Sequence, residues 1–327
     1  MKFGVFDHID ANGMAVGELY AQRLRLIERY EALGFYCYHL TEHHATDLGM
    51  ASSPSVFLAA VAQRTRTIKL GTLVYLLPLH HPVRLLEEIA MLDQLSDGRF
   101  QLGVGRGGQP AEHSRFGLAE ADLGPMFEEG LEILMRGLAG ESVQHEGRFY
   151  TLPEVPIRLR PLQKPHPPLW YGTASSHRNA WAAQHRVNLL TLVSNARTRA
   201  VFEDYREQLA KLGVAPAAMP FMGQARQLVV APTDRGAEAI AERAWLTFVR
   251  SFNWLVDWLG REPYPIAQTF AGAVDMGLAF AGSPASVRQF VERARDEAGA
   301  TYLALELAFG DIAEEDAGQS AALFAHE

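Results

Sequence analysis

The chain has a single cysteine, Cys37, among 327 residues, so no internal disulfide can form and a reducing compartment is expected. It has no excess of basic residues: Lys and Arg number 30 against 38 Asp and Glu, a formal charge of −8. An acidic chain offers no electrostatic footprint for nucleic acid or an anionic membrane. It also lacks a long apolar run. The most apolar stretch, Leu70 to Leu79, is broken by Pro78, is followed by His80 and His81, and falls well short of a bilayer span. Asp7 and Asp10 leave no apolar core for a secretory signal, so a soluble, cytoplasmic protein is expected. Low-complexity linkers are missing too, which leaves one domain over 1–327 as the simplest organisation.

What the chain does contain is an alternation of short apolar runs with helical periodicity. Lys2–Asp7, Cys37–Thr41, Ile68–Val74, Phe100–Val104, Leu169–Tyr171, Leu189–Val193, Gln227–Val230 and Leu303–Leu307 read as eight strands. Helices are expected over Leu19–Leu33, Pro54–Ala62 with Ser52 or Ser53 as cap, Pro82–Leu95, Met126–Leu138, Ala196–Leu212 and Ser283–Ala298 with Ser283 as cap. A hairpin is expected over Ser142–Leu152. Repeated βα units imply a parallel sheet, closed into a barrel or open and doubly wound; periodicity does not choose between them.

Four constellations carry potential chemistry. Thr41-Glu42-His43-His44 follows the second strand, which in a barrel is the rim where active sites sit. An imidazole there suits acid–base work, or it is a packed structural group. Gly103-Val104-Gly105-Arg106-Gly107-Gly108 fits Gly-x-Gly-x-x-Gly, but Gln109-Pro110 follows and the next good helix starts near Met126, which argues against a dinucleotide fold. The open alternatives are a backbone approaching something flat or anionic, with Arg106 supplying charge, and a plain tight turn. Gly172-Thr173-Ala174-Ser175-Ser176 leads into a helix with Arg178 just inside it, either a phosphate site or an ordinary cap. Phe248–Phe270 is rich in aromatics yet interrupted by Gly260, Pro263 and Pro265, which argues against one smooth core helix; its aromatics are either plain core or a partly mobile lid over an apolar pocket.

Met1-Lys2-Phe3-Gly4, Glu42-His43-His44, Gly71-Thr72, Pro78, His81-Pro82-Val83-Arg84, Leu92-Asp93-Gln94, Gly98-Arg99-Phe100 and Gly103 with Arg106-Gly107 occur in an order and spacing that resemble the bacterial luciferase-like flavin monooxygenases. Looser agreement runs through Trp181-Ala182-Ala183-Gln184 and Gly282-Ser283-Pro284. The resemblance implies a (β/α)8 TIM barrel with insertions after strand four and near the C-terminal third. It implies reduced FMN supplied by a separate flavin reductase, and O2 as co-substrate. A flavin C4a-peroxide would then oxygenate a small organic molecule.

Residue by residue, the resemblance makes His43 catalytic, with Glu42 and His44 beside it. It places the flavin phosphate on Arg106 and the amides of Ala174, Ser175 and Ser176, helped by Arg178. It puts a non-proline cis peptide at Leu73-Val74 behind the ring. It also implies a homodimer built on Pro54–Ala62 and Pro82–Leu95, through Ala59, Ala60, Ala90, Leu86 and Leu92. There are departures. A reactive cysteine of the luciferases is Gly105 here, an acidic residue is Ala174, a threonine is Arg178, and an aromatic is Val193. These remove the grounds for light emission and an aldehyde substrate. An F420-dependent oxidoreductase and a non-catalytic flavin-binding protein are the alternatives.

Overall fold

A computed structural model describes residues 1–326. In chain order it begins β1 (Lys2–Asp7), α1 (Val16–Ala32), β2 (Cys37–Leu40), α2 (Pro54–Arg64), β3 (Lys69–Thr72), the two-residue β4 (Tyr75–Leu76), α3 (Pro82–Leu95) and β5 (Phe100–Gly105). The short α4 (Pro110–Arg115), α5 (Glu120–Ala139) and the hairpin β6 (Ser142–Glu146) and β7 (Thr151–Pro156) lead to β8 (Leu169–Gly172). There follow α6 (Asn179–Gln184), β9 (Asn188–Thr191), α7 (Asn195–Lys211), β10 (Met222–Val230) and α8 (Asp234–Trp258). The chain ends with α9 (Phe270–Asp275), β11 (Ala279–Gly282), α10 (Pro284–Asp296), β12 (Tyr302–Glu306) and α11 (Glu314–Ala325).

Among the described residues eight strands, β1, β2, β3, β5, β8, β9, β10 and β12, run parallel and close on themselves. The closure is β1 pairing with both β2 and β12, and β9 pairing with both β8 and β10. This is a (β/α)8 barrel. The hairpin β6–β7 is inserted after the fourth barrel strand, and α9 with β11 is inserted in the C-terminal third. Seven of these strands match the apolar runs to within two residues, because a strand buried on both faces reads as a near-continuous hydrophobic stretch. The eighth, β10, begins at Met222, five residues before the expected Gln227, because Gln224 and Arg226 interrupt its apolar pattern.

Large and small residues alternate inside the barrel. Phe6, Leu73, Trp170, Leu190, Ala225, Tyr302 and Ala304 form the interior cluster. Gly4 makes room for Tyr302: a Cβ there would lie 1.7 Å from the phenol oxygen. Polar interior groups are paired, Trp170 Nε1–H donating to Gln101 Oε1 at 3.0 Å and His39 Nε2 lying 2.8 Å from the Tyr302 hydroxyl. Gly103 lies against the turn that leaves β3, where the Leu73–Val74 peptide is cis; an added Cβ would come 2.1 Å from the Thr72 carbonyl oxygen. Gly105 has a matching constraint, 2.4 Å from Val74 Cγ2, so this backbone leaves no room for a cysteine at position 105.

Several local expectations are corrected. Residues 248–258 are not outside a smooth helix; they are the last turns of the 25-residue α8, with Trp245 and Phe248 buried. Gly260 at φ +63° ends it, and Pro263 and Pro265 lie in the loop beyond. The Gly-x-Gly loop does open into a helix, α4, whose six residues are too few to show periodicity. Ser53 and Ser283 occupy N-cap positions without a side-chain cap bond; the Ser283 N–H instead donates to Asp234 Oδ1 at 2.6 Å. Leu86, Ala90 and Leu92 point into the chain's own core and offer no surface to a second copy; the exposed apolar groups of α2 and α3 include Val56, Met91 and Leu95.

The Gly103 contact gives a stability test. Gly103→Ala should lower stability by about 1–3 kcal/mol through overpacking. Gly17→Ala, in the first turn of α1 where an added Cβ meets nothing within 4 Å, should be neutral or stabilising by up to about 1 kcal/mol. Chemical denaturation of both variants checks the pair; equal midpoints would contradict it.

Candidate active site

The C-terminal ends of the barrel strands gather the titratable groups. Glu42 follows β2, and its carboxylate is buried at 2% exposure. It accepts from His44 Nε2 at 2.8 Å, from His80 Nε2 at 2.8 Å and from the Leu76 N–H at 2.8 Å. Burial alone would raise this carboxyl; the hydrogen bonds from His44, His80 and Leu76 outweigh it and hold it below the usual range. His80 moves the other way. Burial depresses it, but the bond to Glu42 more than compensates and raises it.

Glu112, on α4, is the second buried carboxylate, at 1% exposure. Its Oε1 lies 2.7 Å from His43 Nδ1, and its Oε2 accepts the His44 N–H at 2.9 Å. Held through Nδ1, the His43 ring turns Nε2 away from Glu112. This is the arrangement that orients an imidazole for proton transfer, with a carboxylate fixing the tautomer. His44 is thus doubly tied, by its backbone to Glu112 and by its ring to Glu42, and its edge meets the exposed Phe116 ring at 5.0 Å.

A further pair lies at the ends of β1 and β12. His8 Nδ1 is 2.6 Å from Glu306 Oε1, and Gln227 Nε2–H donates to Glu306 Oε2 at 2.7 Å. The His8 and His43 rings are 5.5 Å apart. Phe248 of α8 closes over His8 at 5.6 Å, and Phe252 continues the aromatic cover to Tyr264. Leu255, Val256, Leu259 and Tyr264 pack on Ala111 of α4, so the aromatic end of α8 sits against the helix that carries Glu112.

The anion-binding residues lie on the other side of the mouth. Val104 pairs with Tyr171, which puts Arg106 and Thr173 at adjacent strand ends. Arg106 is exposed, as are Ala174, Ser175 and Ser176. The Ser175 N–H is already taken by Thr173 Oγ1 at 3.2 Å. Arg178 corrects the expectation. It is the N-cap residue of α6 rather than inside it, and its guanidinium pairs with Glu128 and lies over the rings of Phe127, Tyr171 and Trp181 at 5.0, 5.7 and 4.7 Å.

Sequence reasoning brought His43, His44, Glu42 and the Leu73–Val74 peptide to one rim. It missed Glu112, His80, His8 and Glu306. The signals were there: Pro110 marks a helix start just ahead of Glu112, and His8 and Glu306 are polar residues at the C-terminal ends of apolar strands.

The chain has known relatives. The luciferase-like monooxygenase family matches residues 1–306. The uncharacterized protein y4wF of Sinorhizobium fredii is 39% identical over 314 residues, covering 95% of this chain and 92% of that protein. The oxygenase component of the flavin-dependent trigonelline monooxygenase of Acinetobacter baylyi is 28% identical over 58% of this chain and 53% of its own length. Among solved structures, monooxygenase RslO1 from Streptomyces bottropensis superimposes with a TM-score of 0.89 at 26% identity, over 100% of this chain and 98% of that one. The matched family and the superimposed monooxygenase barrel agree: this chain belongs to the luciferase-like monooxygenases, oxidoreductases that incorporate oxygen.

Proposed function

We propose that the chain is the oxygenase component of a two-component system, taking reduced FMN from a separate flavin reductase and using O2 to oxygenate a small organic molecule. The observation that carries the reading is the His43–Glu112 pair on the barrel rim, an imidazole fixed through Nδ1 at 2.7 Å on the loop after β2, whose neighbouring strand β3 leads into Leu73–Val74. The FMN complex of the 3,6-diketocamphane monooxygenase oxygenating constituent from Pseudomonas putida has the same fold, at TM-score 0.80 and 20% identity.

The residues fit the cofactor. Thr41 Oγ1, just after β2, is buried with no hydrogen-bond partner among the described residues, and a polar atom of a bound group could complete it. A Cβ at Gly172 would meet nothing within 4 Å, so the strand end beside Arg106 is open. Arg106 with the backbone of Ala174 and Ser176 would hold the phosphate. Leu73 and Val74 would support the ring. Bound reduced FMN supplies the electrons that activate O2. His43 holds or moves a proton at Nε2, Glu112 keeps its ring oriented, and Phe248, Phe252 and Tyr264 exclude water. His44 and His80 keep Glu42 ionised and the rim loops in place.

Assembly as a homodimer through α2 and α3 belongs to the same reading, now with Val56, Met91 and Leu95 as its contacts. Oxygen uptake with photoreduced FMN tests the central assignment. Reduction of F420 without oxygen uptake would assign the chain to F420 chemistry instead, and tight retention of oxidised FMN without oxygen uptake would make it a binding protein.

Arg106→Ala should weaken FMN binding by about 1.5–3 kcal/mol, the range of a charged hydrogen bond. Equilibrium titration checks it, and unchanged affinity removes Arg106 from the site. His43→Ala should keep its fold and FMN affinity while product formation falls by ~10²-fold or more. His44→Ala should lower thermal stability more than turnover, because its ring serves Glu42. The reverse pattern would exchange the two roles. Glu112→Gln should reduce turnover with little change in FMN affinity; wild-type turnover would show that His43 needs no carboxylate.

A further inference from the structure

Of the histidine–carboxylate pairs at the mouth, His43–Glu112 and His8–Glu306 differ in kind. His43–Glu112 borders the rim, with the His43 side chain 17% exposed. His8–Glu306 lies beneath it, at 7% and 1% exposure, walled by the rings of Phe6 at 5.1 Å and Phe248 at 5.6 Å. The groups facing Glu306 are His8 and Asp7 from β1, Arg23 from α1, His43 after β2 and Gln227 from β10, with Asp10 nearby. Burial raises the Glu306 carboxyl well above the ordinary range, and Asp7 adds to this; Arg23, Gln227 and His43 pull against it. Burial pushes the His8 imidazole down to about 4 despite Asp7 and Glu112. Burial thus works against charge on both members.

The hydrogen-bond geometry then places each proton. Gln227 Nε2–H occupies Glu306 Oε2 as an acceptor, so the acid proton belongs on Oε1 and donates to His8 Nδ1, 2.6 Å away. A neutral His8 with Nδ1 as acceptor carries its own proton on Nε2. Among its ring neighbours Phe6, Phe248 and His43, only His43 can exchange a proton.

We propose that His8 and Glu306 form a proton relay for the barrel mouth, with Glu306 as the store and His8 as the conduit. On release, the Glu306 Oε1–H bond breaks as His8 Nδ1–H forms, and the Nε2–H bond breaks as its proton passes to an acceptor in the mouth. Glu306 becomes a carboxylate and His8 stays neutral; uptake is the reverse, and no electrons move. A neutral conduit suits a site whose burial disfavours a cation. The His8 and His43 ring centroids are 5.5 Å apart, so His43 is the neighbour of the conduit that can pass a proton on to the mouth. The use of the proton in turnover rests on the monooxygenase reading above; the stored proton itself does not.

The test begins with the cofactor-free chain at neutral pH. Wild-type minus Glu306→Gln infrared difference spectra should show the loss of one protonated-carboxyl band, and Asp10→Asn separates the band of the other buried acid. Ring-nitrogen NMR should find His8 as the Nε2–H tautomer, with no imidazolium down to about pH 5. In turnover with photoreduced FMN, Glu306→Gln should bind FMN as wild type does, lose one limb of the pH–rate profile and fall by ~10²-fold. Absence of the band in the wild type, an imidazolium at His8 near neutrality, or an unchanged pH–rate profile would each overturn the relay. If Glu306→Gln does not fold, His8→Gln takes its place in the turnover measurement and the wild-type spectra still decide the proton's position. If the wild type shows no flavin turnover, the monooxygenase reading fails and the infrared and NMR results judge the relay alone.

Discussion

Glu42 and Glu112 hold this rim together. Each carboxylate is buried and each accepts hydrogen bonds from more than one chain segment: Glu42 from the loop after β2, from β4 and from His80, Glu112 from His43 and His44 across from α4. A buried carboxylate is tolerated only when its lone pairs are filled by donors. The requirement works in both directions. The donors keep the Glu42 carboxyl ionised, and the two carboxylates together fix three histidines whose rings would otherwise rotate. The exposed edge of His43 is thus a product of packing beneath it.

The barrel itself was legible because its strands are buried on both faces. Apolar runs such as Leu189–Leu190 and Leu303–Leu305 leave little choice of conformation, and Pro82 and Gly34 punctuate the helices as their backbone chemistry requires. Closure into a barrel was not contained in that pattern. It depends on β9 meeting β10 and β12 meeting β1, contacts far apart in sequence that any doubly wound sheet would replace with others. The C-terminal region divides where its breakers stand: Gly260 separates the continuous α8 from the loop that carries Pro263 and Pro265, and only the length of the helix before it was not legible.

The site was partly legible. His43 and Glu42 stand at a strand end, where position alone points to function. Glu112 is 69 residues from His43 on a helix of six residues, and only the folded chain brings them to 2.7 Å. Arg178 shows the opposite error. Its place beside a small-residue loop suggested an anion, yet Glu128 and three aromatic rings from neighbouring helices and β8 claim its guanidinium. A charge near a loop says little until its competing partners are known.

Where FMN sits decides the roles of Arg106, Leu73–Val74 and His43. A crystal structure of the FMN complex measures this directly. The phosphate should lie within hydrogen-bond distance of Arg106 and the backbone amides of Ala174 and Ser176. The ring should rest on Leu73 and Val74, with its other face toward the His43 side of the mouth. A phosphate bound away from Arg106, or a ring that leaves Leu73–Val74 and His43 uncovered, would contradict the account.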